Sequence, residues 1–367
     1  MNSFSELNLN SALHKNLARL GFEKPTAVQA GSIAPTLEGR DLVATSQTGS
    51  GKTLAFALPI VERACASGTS STRPRALILS PTRELAIQVE ETFAKISAGT
   101  RFRSAVVVGG VDERRQLRTL KTGVDAVVAT PGRLCDFLQR KLIDLKGVET
   151  LVLDEADRML DMGFLPSIRE ILKAVPTNRQ TLLFSATIEK SVAHLIETCV
   201  RNPVRVEIGA SSKPAENVTL RLCEVEHDGR IKALTGLLHE NSGNFLVFAR
   251  TRRGTDRLAR HLSHAGIRAA RIHGDRTQGQ RNQALQGFRD GSFRVLVATD
   301  VAARGIHIDG IAHVVNYDLP QVPEDFIHRV GRTGRAGARG TAWTFSSRSE
   351  RGEIRRLERA LNVRLSA

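Results

Sequence analysis

DLVATSQTGSGKT, residues 41–53, runs from a short apolar segment into a turn of glycines and hydroxyls and ends on Lys52-Thr53; TLAFALPIVERA, residues 53–64, follows at helical spacing. A strand, a glycine-rich turn and a helix in that order are the context in which a phosphate-binding loop works. Gly49 and Gly51 let backbone N–H groups close around phosphate oxygens, with Thr48 and Ser50 completing the loop. Lys52 reaches the β and γ phosphates, and Thr53 can ligate Mg²⁺. The strict pattern has Gly where Ser46 stands. The chemistry is carried by GSGKT, and the fold it calls for is a parallel α/β sheet.

Similar apolar runs recur outward from this stretch. RALILS (75–80), RSAVVVGG (103–110), DAVVAT (125–130), TLVLDEAD (150–157) and QTLLFSAT (180–187) lack strict polar alternation, so both faces of each strand are expected to be covered. Amphipathic stretches such as TRELAIQVEETFAKIS (82–97) lie between them, a doubly wound α/β pattern. The pattern breaks at IGASSKPAENVT (208–219) and resumes with NFLVFA, IRAARIHG, FRVLVATD, IAHVVNYD and TAWTFS. Two consecutive domains are therefore expected, over 1–208 and 219–367, joined by a linker at 209–218.

The 367 residues are 41% hydrophobic, enough for two cores of ordinary size, and carry a formal charge of +15 with a pI near 10.5. Residues 1–208 hold 27 Lys+Arg against 22 Asp+Glu, and residues 209–367 hold 26 against 16, so both halves are basic and a polyanion is the natural partner. Cys65, Cys135, Cys199 and Cys223 stand at least 24 residues apart, which argues against a zinc cluster or a disulfide framework. No apolar run approaches the roughly 20 residues that span a bilayer. The expectation is a cytoplasmic monomer without a membrane partner.

Asp154 and Glu155 leave the apolar strand LVL as adjacent carboxylates. Alone they would read as a solvated helix start. Downstream of a phosphate loop they read as a Mg²⁺ site on Asp154, partly through water, and a water-activating group on Glu155. Motifs in the order PTREL (81–85), TPGR (130–133), DEAD (154–157), SAT (185–187), TDVAARG (299–305) and HRVGRTGR (328–335) make the chain resemble the DEAD-box RNA helicases, from about Phe4 to the end, with a bacterial RhlE/RhlB-like cast. That resemblance implies an ATP- and Mg²⁺-dependent enzyme acting on RNA, built on two tandem RecA-like domains.

The resemblance also implies roles for individual residues. In GFEKPTAVQ (21–29), Phe22 would stack on adenine and Gln29 would bond its edges, although Phe22 taken alone reads as core. Arg83, Gly110, Thr130 and Arg133, with Thr251, Gly274, Arg281 and Thr299, would hold the RNA sugar-phosphate backbone; singly, each reads as a helix cap or solvated charge. Only 16 aromatics among 367 residues leave few stacking platforms, which independently favours backbone gripping with little sequence preference. Ser185 and Thr187 would couple nucleotide to RNA, or cap the helix near Glu189. Asp157, Asp300, His328 and Arg329 share the coupling role, Arg329 on an internal carboxylate. Arg332 and Arg335 would reach the γ-phosphate. Gly305 and Asp309 complete the ATP set, Asp309 standing in for a ribose-binding Asp at the position that reads His307 here.

HRVGRTGRAGARG (328–340) resembles a basic tail in composition, yet it lies between the strand-like IAHVVNYD and TAWTFS. It is expected inside a folded domain, with only Arg339 left as surface charge.

Overall fold

Most of the apolar runs become interior strands, because parallel neighbours on both sides and helices on both faces leave no side of the ribbon in water. The computed structural model describes residues 2–46, 49–67, 73–208, 217–303, 310–334 and 338–365, and the chain divides into two units, Met1–Ala210 and Ser211–Ala367. In the first, β1 (Leu42–Thr45), β2 (Ala76–Leu79), β3 (Ser104–Val107), β4 (Ala126–Ala129), β5 (Thr150–Leu153), β6 (Gln180–Ser185) and β7 (Val204–Glu207) form a sheet in the order β3-β4-β2-β5-β6-β1-β7. In the second, β8 (Val218–Glu224), β9 (Phe245–Phe248), β10 (Ala269–Ile272), β11 (Val295–Ala298), β12 (His313–Asn316) and β13 (Gly340–Ser346) run in the order β10-β11-β9-β12-β13-β8. Every pairing among these strands is parallel.

Alternate residues of one strand feed different cores. Leu42 and Ala44 of β1 join Phe56, Phe93 and Phe184 on one face, while Val43 joins Leu77, Leu151 and Phe137 on the other. The second sheet repeats this, with Leu246 and Phe248 on one side and Phe245 and Val247 on the other. Strands β7 and β8 sit at sheet edges and are half-exposed, and their sequences VRVE and VTLRLCE alternate accordingly. Val218, placed by the sequence at the end of a linker, is instead the first residue of β8 and pairs with Gly340 of β13. Its side chain packs under Gly334, so burial draws it into the sheet.

The stretch 328–340 is internal to the second unit, between the helix Pro323–Val330 and β13. Gly340 serves packing: a Cβ there would run into Thr333 Oγ1 and lie 2.9 Å from the Gly334 nitrogen. No helix among the described residues is long and apolar enough to cross a membrane.

Gly340→Ala is expected to destabilise the second unit by about 1–3 kcal/mol through overpacking. Gly352→Ala, in a helix where a Cβ meets nothing within 4 Å, is expected to be neutral or stabilising. Urea unfolding of both variants checks the contrast, and equal midpoints would contradict it.

Candidate nucleotide and nucleic-acid site

Parallel strands all point their carboxyl ends to one edge, and there the following loops gather. In the first unit, the loops after β1, β5 and β6 carry GSGKT, DEAD and SAT, while those after β2, β3 and β4 carry Arg83, Gly110 and Thr130 with Arg133. In the sheet order the second group occupies one half and the first group the other.

The phosphate loop is pre-shaped. Gly49 and Gly51 have φ of 86° and 92°, and a Cβ on Gly51 would also collide with the Gln29 amide. Lys52 opens the helix Lys52–Ala66, is buried, and its Nζ donates to Ser46 O at 2.8 Å. The Ser46 and Ser50 hydroxyls share a 2.9 Å hydrogen bond, and Ser46 N donates to Ser185 O at 3.1 Å. Thr53 is the second residue of the same helix. Thr48 lies outside the described residues.

Gln29 is tied to this loop: its Nε2 donates to Gly51 O at 3.1 Å, and its Oε1 accepts from Thr26 N at 2.9 Å. Thr26 Oγ1 in turn donates to Ser50 O at 2.7 Å. The amide expected on an adenine edge thus holds the loop backbone here. Phe22 is 36% exposed, so it is not a core ring.

Asp154 is only 3% exposed; burial and the charge of Glu155 push its carboxyl up to about 7, while Lys52 pulls the other way. Glu155 adopts φ of 50°, and its Oε2 accepts from Arg158 Nη1 at 2.7 Å, both side chains being buried. Two adjacent buried carboxylates, one forced towards its protonated form, are a donor set suited to a hard divalent cation, with Thr53 as a hydroxyl ligand. Arg158 was not singled out from the sequence, although its i,i+3 spacing from Glu155 is a signal that finds it.

Asp157 joins two motifs. Its Oδ2 accepts from Ala186 N at 2.9 Å, Thr187 N at 3.0 Å and Thr187 Oγ1 at 3.3 Å. Its N donates to Ser185 Oγ at 3.2 Å, and that hydroxyl donates to Thr187 O at 2.7 Å. The hydroxyls of SAT are thus turned towards DEAD, and Glu189, the N-cap of the helix Lys190–Cys199, has no side-chain cap bond.

On the other half of the edge, Arg83 opens the helix Arg83–Ile96 and its guanidinium lies against Gly109 and Gly110, where a Cβ on Gly109 would come within 3.2 Å of Nη2. Thr130 is the N-cap of the helix Pro131–Gln139 without a side-chain cap bond. Arg133 Nη1 donates to Glu113 Oε2 at 3.3 Å. These four residues follow three neighbouring strands, and Arg83 and Gly110 are in contact.

In the second unit, Thr251, Gly274 and Thr299 follow β9, β10 and β11, again three neighbours. Thr251 Oγ1 accepts from Gly254 N at 2.9 Å, so it caps its helix. Gly274 is exposed, and Arg281 is half-buried in the helix Gln278–Arg289. Arg329 is 2% exposed: Nε and Nη2 donate to the two carboxylate oxygens of Asp300 at 2.6 and 2.7 Å, and Nη1 donates to Asn316 Oδ1 and to Asp318 O. Arg332 is 4% exposed and its Nε donates to His328 O at 3.1 Å, whereas Arg339 is exposed. Gly305, His307, Asp309 and Arg335 lie outside the described residues.

Residues 26–195 match the DEAD/DEAH box helicase family, and residues 229–337 match the helicase conserved C-terminal domain. A Bacillus cereus protein named DEAD-box ATP-dependent RNA helicase CshA is 43% identical over 98% of this chain and 68% of its own length. A CshA of Listeria monocytogenes is 44% identical over 100% and 70%. The chain belongs to the DEAD-box ATP-dependent RNA helicases. Its two parallel-sheet units are the tandem RecA-like core of that family. Saccharomyces cerevisiae Dbp5 bound to RNA and ADP BeF3 superposes with a TM-score of 0.90 at 30% identity, covering 100% of this chain and 95% of that one. Mss116p bound to ssRNA and AMP-PNP gives 0.89 at 29% identity over 99% and 77%. The finer RhlE/RhlB-like expectation finds no support: bacterial relatives at 43–44% identity over nearly the whole chain carry the name CshA.

In this DEAD-box helicase, Glu155→Gln is expected to lower ATP turnover at least about 100-fold, the scale of general-base loss. Affinity for a nonhydrolysable ATP analogue should stay within a few-fold. Equilibrium binding and phosphate release together check this, and near-normal turnover would remove Glu155 from the water-activating role.

Proposed function

We propose that the chain is an RNA-dependent ATPase that separates short RNA duplexes locally and non-processively, or remodels RNA–protein complexes, by closing and reopening two RecA-like domains. What supports this reading above all is the partition of the first unit's carboxyl edge: the ends of β1, β5 and β6 present phosphate-loop and carboxylate chemistry, and the ends of β2, β3 and β4 present a cluster suited to a sugar-phosphate backbone. One sheet edge offers adjacent places for nucleotide and RNA, and Asp157 lies on the nucleotide half with its bonds to SAT.

In this mechanism Lys52 and the backbone of GSGKT hold the triphosphate, Phe22 stacks on adenine and Glu155 orients the attacking water. Mg²⁺, when bound through Thr53 and Asp154, supplies positive charge to the phosphates. Residues 209–217 act as the linker between the two domains, the second of which opens with Val218 in β8. Closure on RNA brings Arg332 and Arg335 to the transferring phosphoryl group, a contribution of roughly 10³ to 10⁵ in rate, about 4–7 kcal/mol. Gly305 and Asp309 contribute to the ATP pocket; Thr251, Gly274, Arg281 and Thr299 extend the backbone grip. Asp157, Ser185 and Thr187 in the first unit, and Asp300, His328 and Arg329 in the second, carry nucleotide state to the RNA face. Hydrolysis then resets the grip. The protein acts as a cytoplasmic monomer with little RNA sequence preference.

Phosphate release is expected to rise at least about tenfold with saturating RNA, with little dependence on its sequence and little response to DNA of equal length. Equal rates with and without RNA would sink the reading, and equal stimulation by DNA would make the enzyme a DNA translocase.

A further inference from the structure

The loop after β3 runs from Gly110 into the helix Glu113–Lys121, which carries Arg114, Arg115, Arg118 and Lys121, all four exposed. None of the four forms an ion pair among the described residues. The acids beside them are already engaged. Asp112 Oδ1 accepts from Arg114 N at 2.9 Å and caps the helix, and Glu113 accepts from Arg140 Nη2 at 2.6 Å and from Arg133 Nη1 at 3.3 Å. The outer face is therefore cationic along its whole length, where an ordinary solvated face mixes both signs.

The inner face fixes the direction of those cations. Buried Gln116 clamps the end of β3 from both sides, its Oε1 accepting from Val108 N at 2.9 Å and its Nε2 donating to Val108 O at 3.0 Å. Leu117 and Leu120 pack against the second core cluster of the same unit. With rotation about the helix axis prevented, Arg114, Arg118 and Lys121 align at i, i+4 and i+7, separated by about 6 and 10.5 Å along the axis at 1.5 Å per residue. With Asp112 and Leu117 they line a hollow of about 600 Å³.

We propose that this face is a second RNA-backbone site, outside the core groove, that takes the sugar-phosphate chain of RNA continuing past Gly110 and Arg133. The inference rests on the RNA reading above and adds to it the path of RNA beyond the core. Charge complementarity supplies the recognition, and continuity supplies the placement: Arg133 touches the first residue of this helix through Glu113. Such a site reads no sequence. It lengthens the occupied RNA and raises the affinity for structured or long substrates over minimal ones.

The test compares the protein with an Arg114→Gln/Arg118→Gln/Lys121→Gln variant in RNA titrations at several salt concentrations, with a nonhydrolysable ATP analogue present. The RNAs are the shortest single strand that fully stimulates ATP hydrolysis, that strand extended on its 5′ side, extended on its 3′ side, and extended by a hairpin. The variant is expected to match the parent within about twofold on the shortest strand and to lose about tenfold on at least one extension. The arm that loses identifies a continued single strand or a duplex arm as the occupant. The slope of log affinity against log salt on that RNA should become shallower by about 2, three phosphate contacts at roughly 0.7 each. Arg114→Lys/Arg118→Lys, which keeps the charge, should retain the parent's behaviour. Equal losses on all four RNAs, or none on any, would overturn the proposal. Failure of the shortest strand to stimulate the parent would instead overturn the RNA reading beneath it.

Discussion

The carboxylate of Asp157 is the tie on which the first unit's active edge depends. It accepts two backbone N–H groups and a hydroxyl from Ala186 and Thr187, and so fixes the end of β5 to the loop after β6. Ser185 O then accepts from Ser46 N, which carries the tie on to the phosphate loop. Three loops from strands adjacent in the sheet become one hydrogen-bonded body. Hydrogen bonds to a charged acceptor are worth more than neutral ones, and here they also hold the carboxylates of DEAD in place against their mutual repulsion. Burial first and the charge of Glu155 second raise the Asp154 carboxyl, Lys52 opposes that rise, and Glu155 is paired with Arg158.

The second unit solves the same problem with the opposite charge. Arg329 is buried, yet it meets both oxygens of Asp300, Asn316 Oδ1 and Asp318 O, and its guanidinium lies 5.0 Å from the Phe248 ring centre. A buried guanidinium with this many partners orders the ends of β9, β11 and β12 around one group. Such pairs set geometry more than they add stability, because desolvation offsets much of the attraction. A basic, glycine-rich stretch that resembles a tail in composition supplies an interior brace through Arg329, while Arg339 is exposed.

Much of this was legible because buried parallel strands write themselves as uninterrupted apolar runs; β1 to β6 and β9 to β13 were all visible that way. Of the four edge strands, β3 and β10 were legible, but β7 and β8, with partly exposed residues, were not, because charged and polar residues interrupt VRVE and VTLRLCE. For the same reason Val218 read as linker. Side-chain environments were harder. Phe22 looked like core by residue type and is exposed, because the loop that carries it leaves its ring uncovered. Gln29 bonds Thr26 within a local capping box, and its second bond, to Gly51 O, depends on a loop closure across 22 residues that the sequence does not announce. Thr251 caps its helix, the plainer of its two readings. The spacing of Arg158 from Glu155 marks a pairing in the sequence, but nothing there marks the pair as buried.

The proposed function makes nucleotide state and RNA grip one linked equilibrium through the DEAD–SAT tie, and linkage makes it measurable from either ligand. The direct measurement is RNA affinity with ADP and with a nonhydrolysable ATP analogue, in the parent protein and in Asp157→Asn. The parent is expected to bind RNA at least about tenfold more tightly with the analogue, about 1.4 kcal/mol of coupling, and the variant is expected to lose most of that difference. Identical RNA affinity in the two nucleotide states of the parent, or full coupling in Asp157→Asn, would contradict the account.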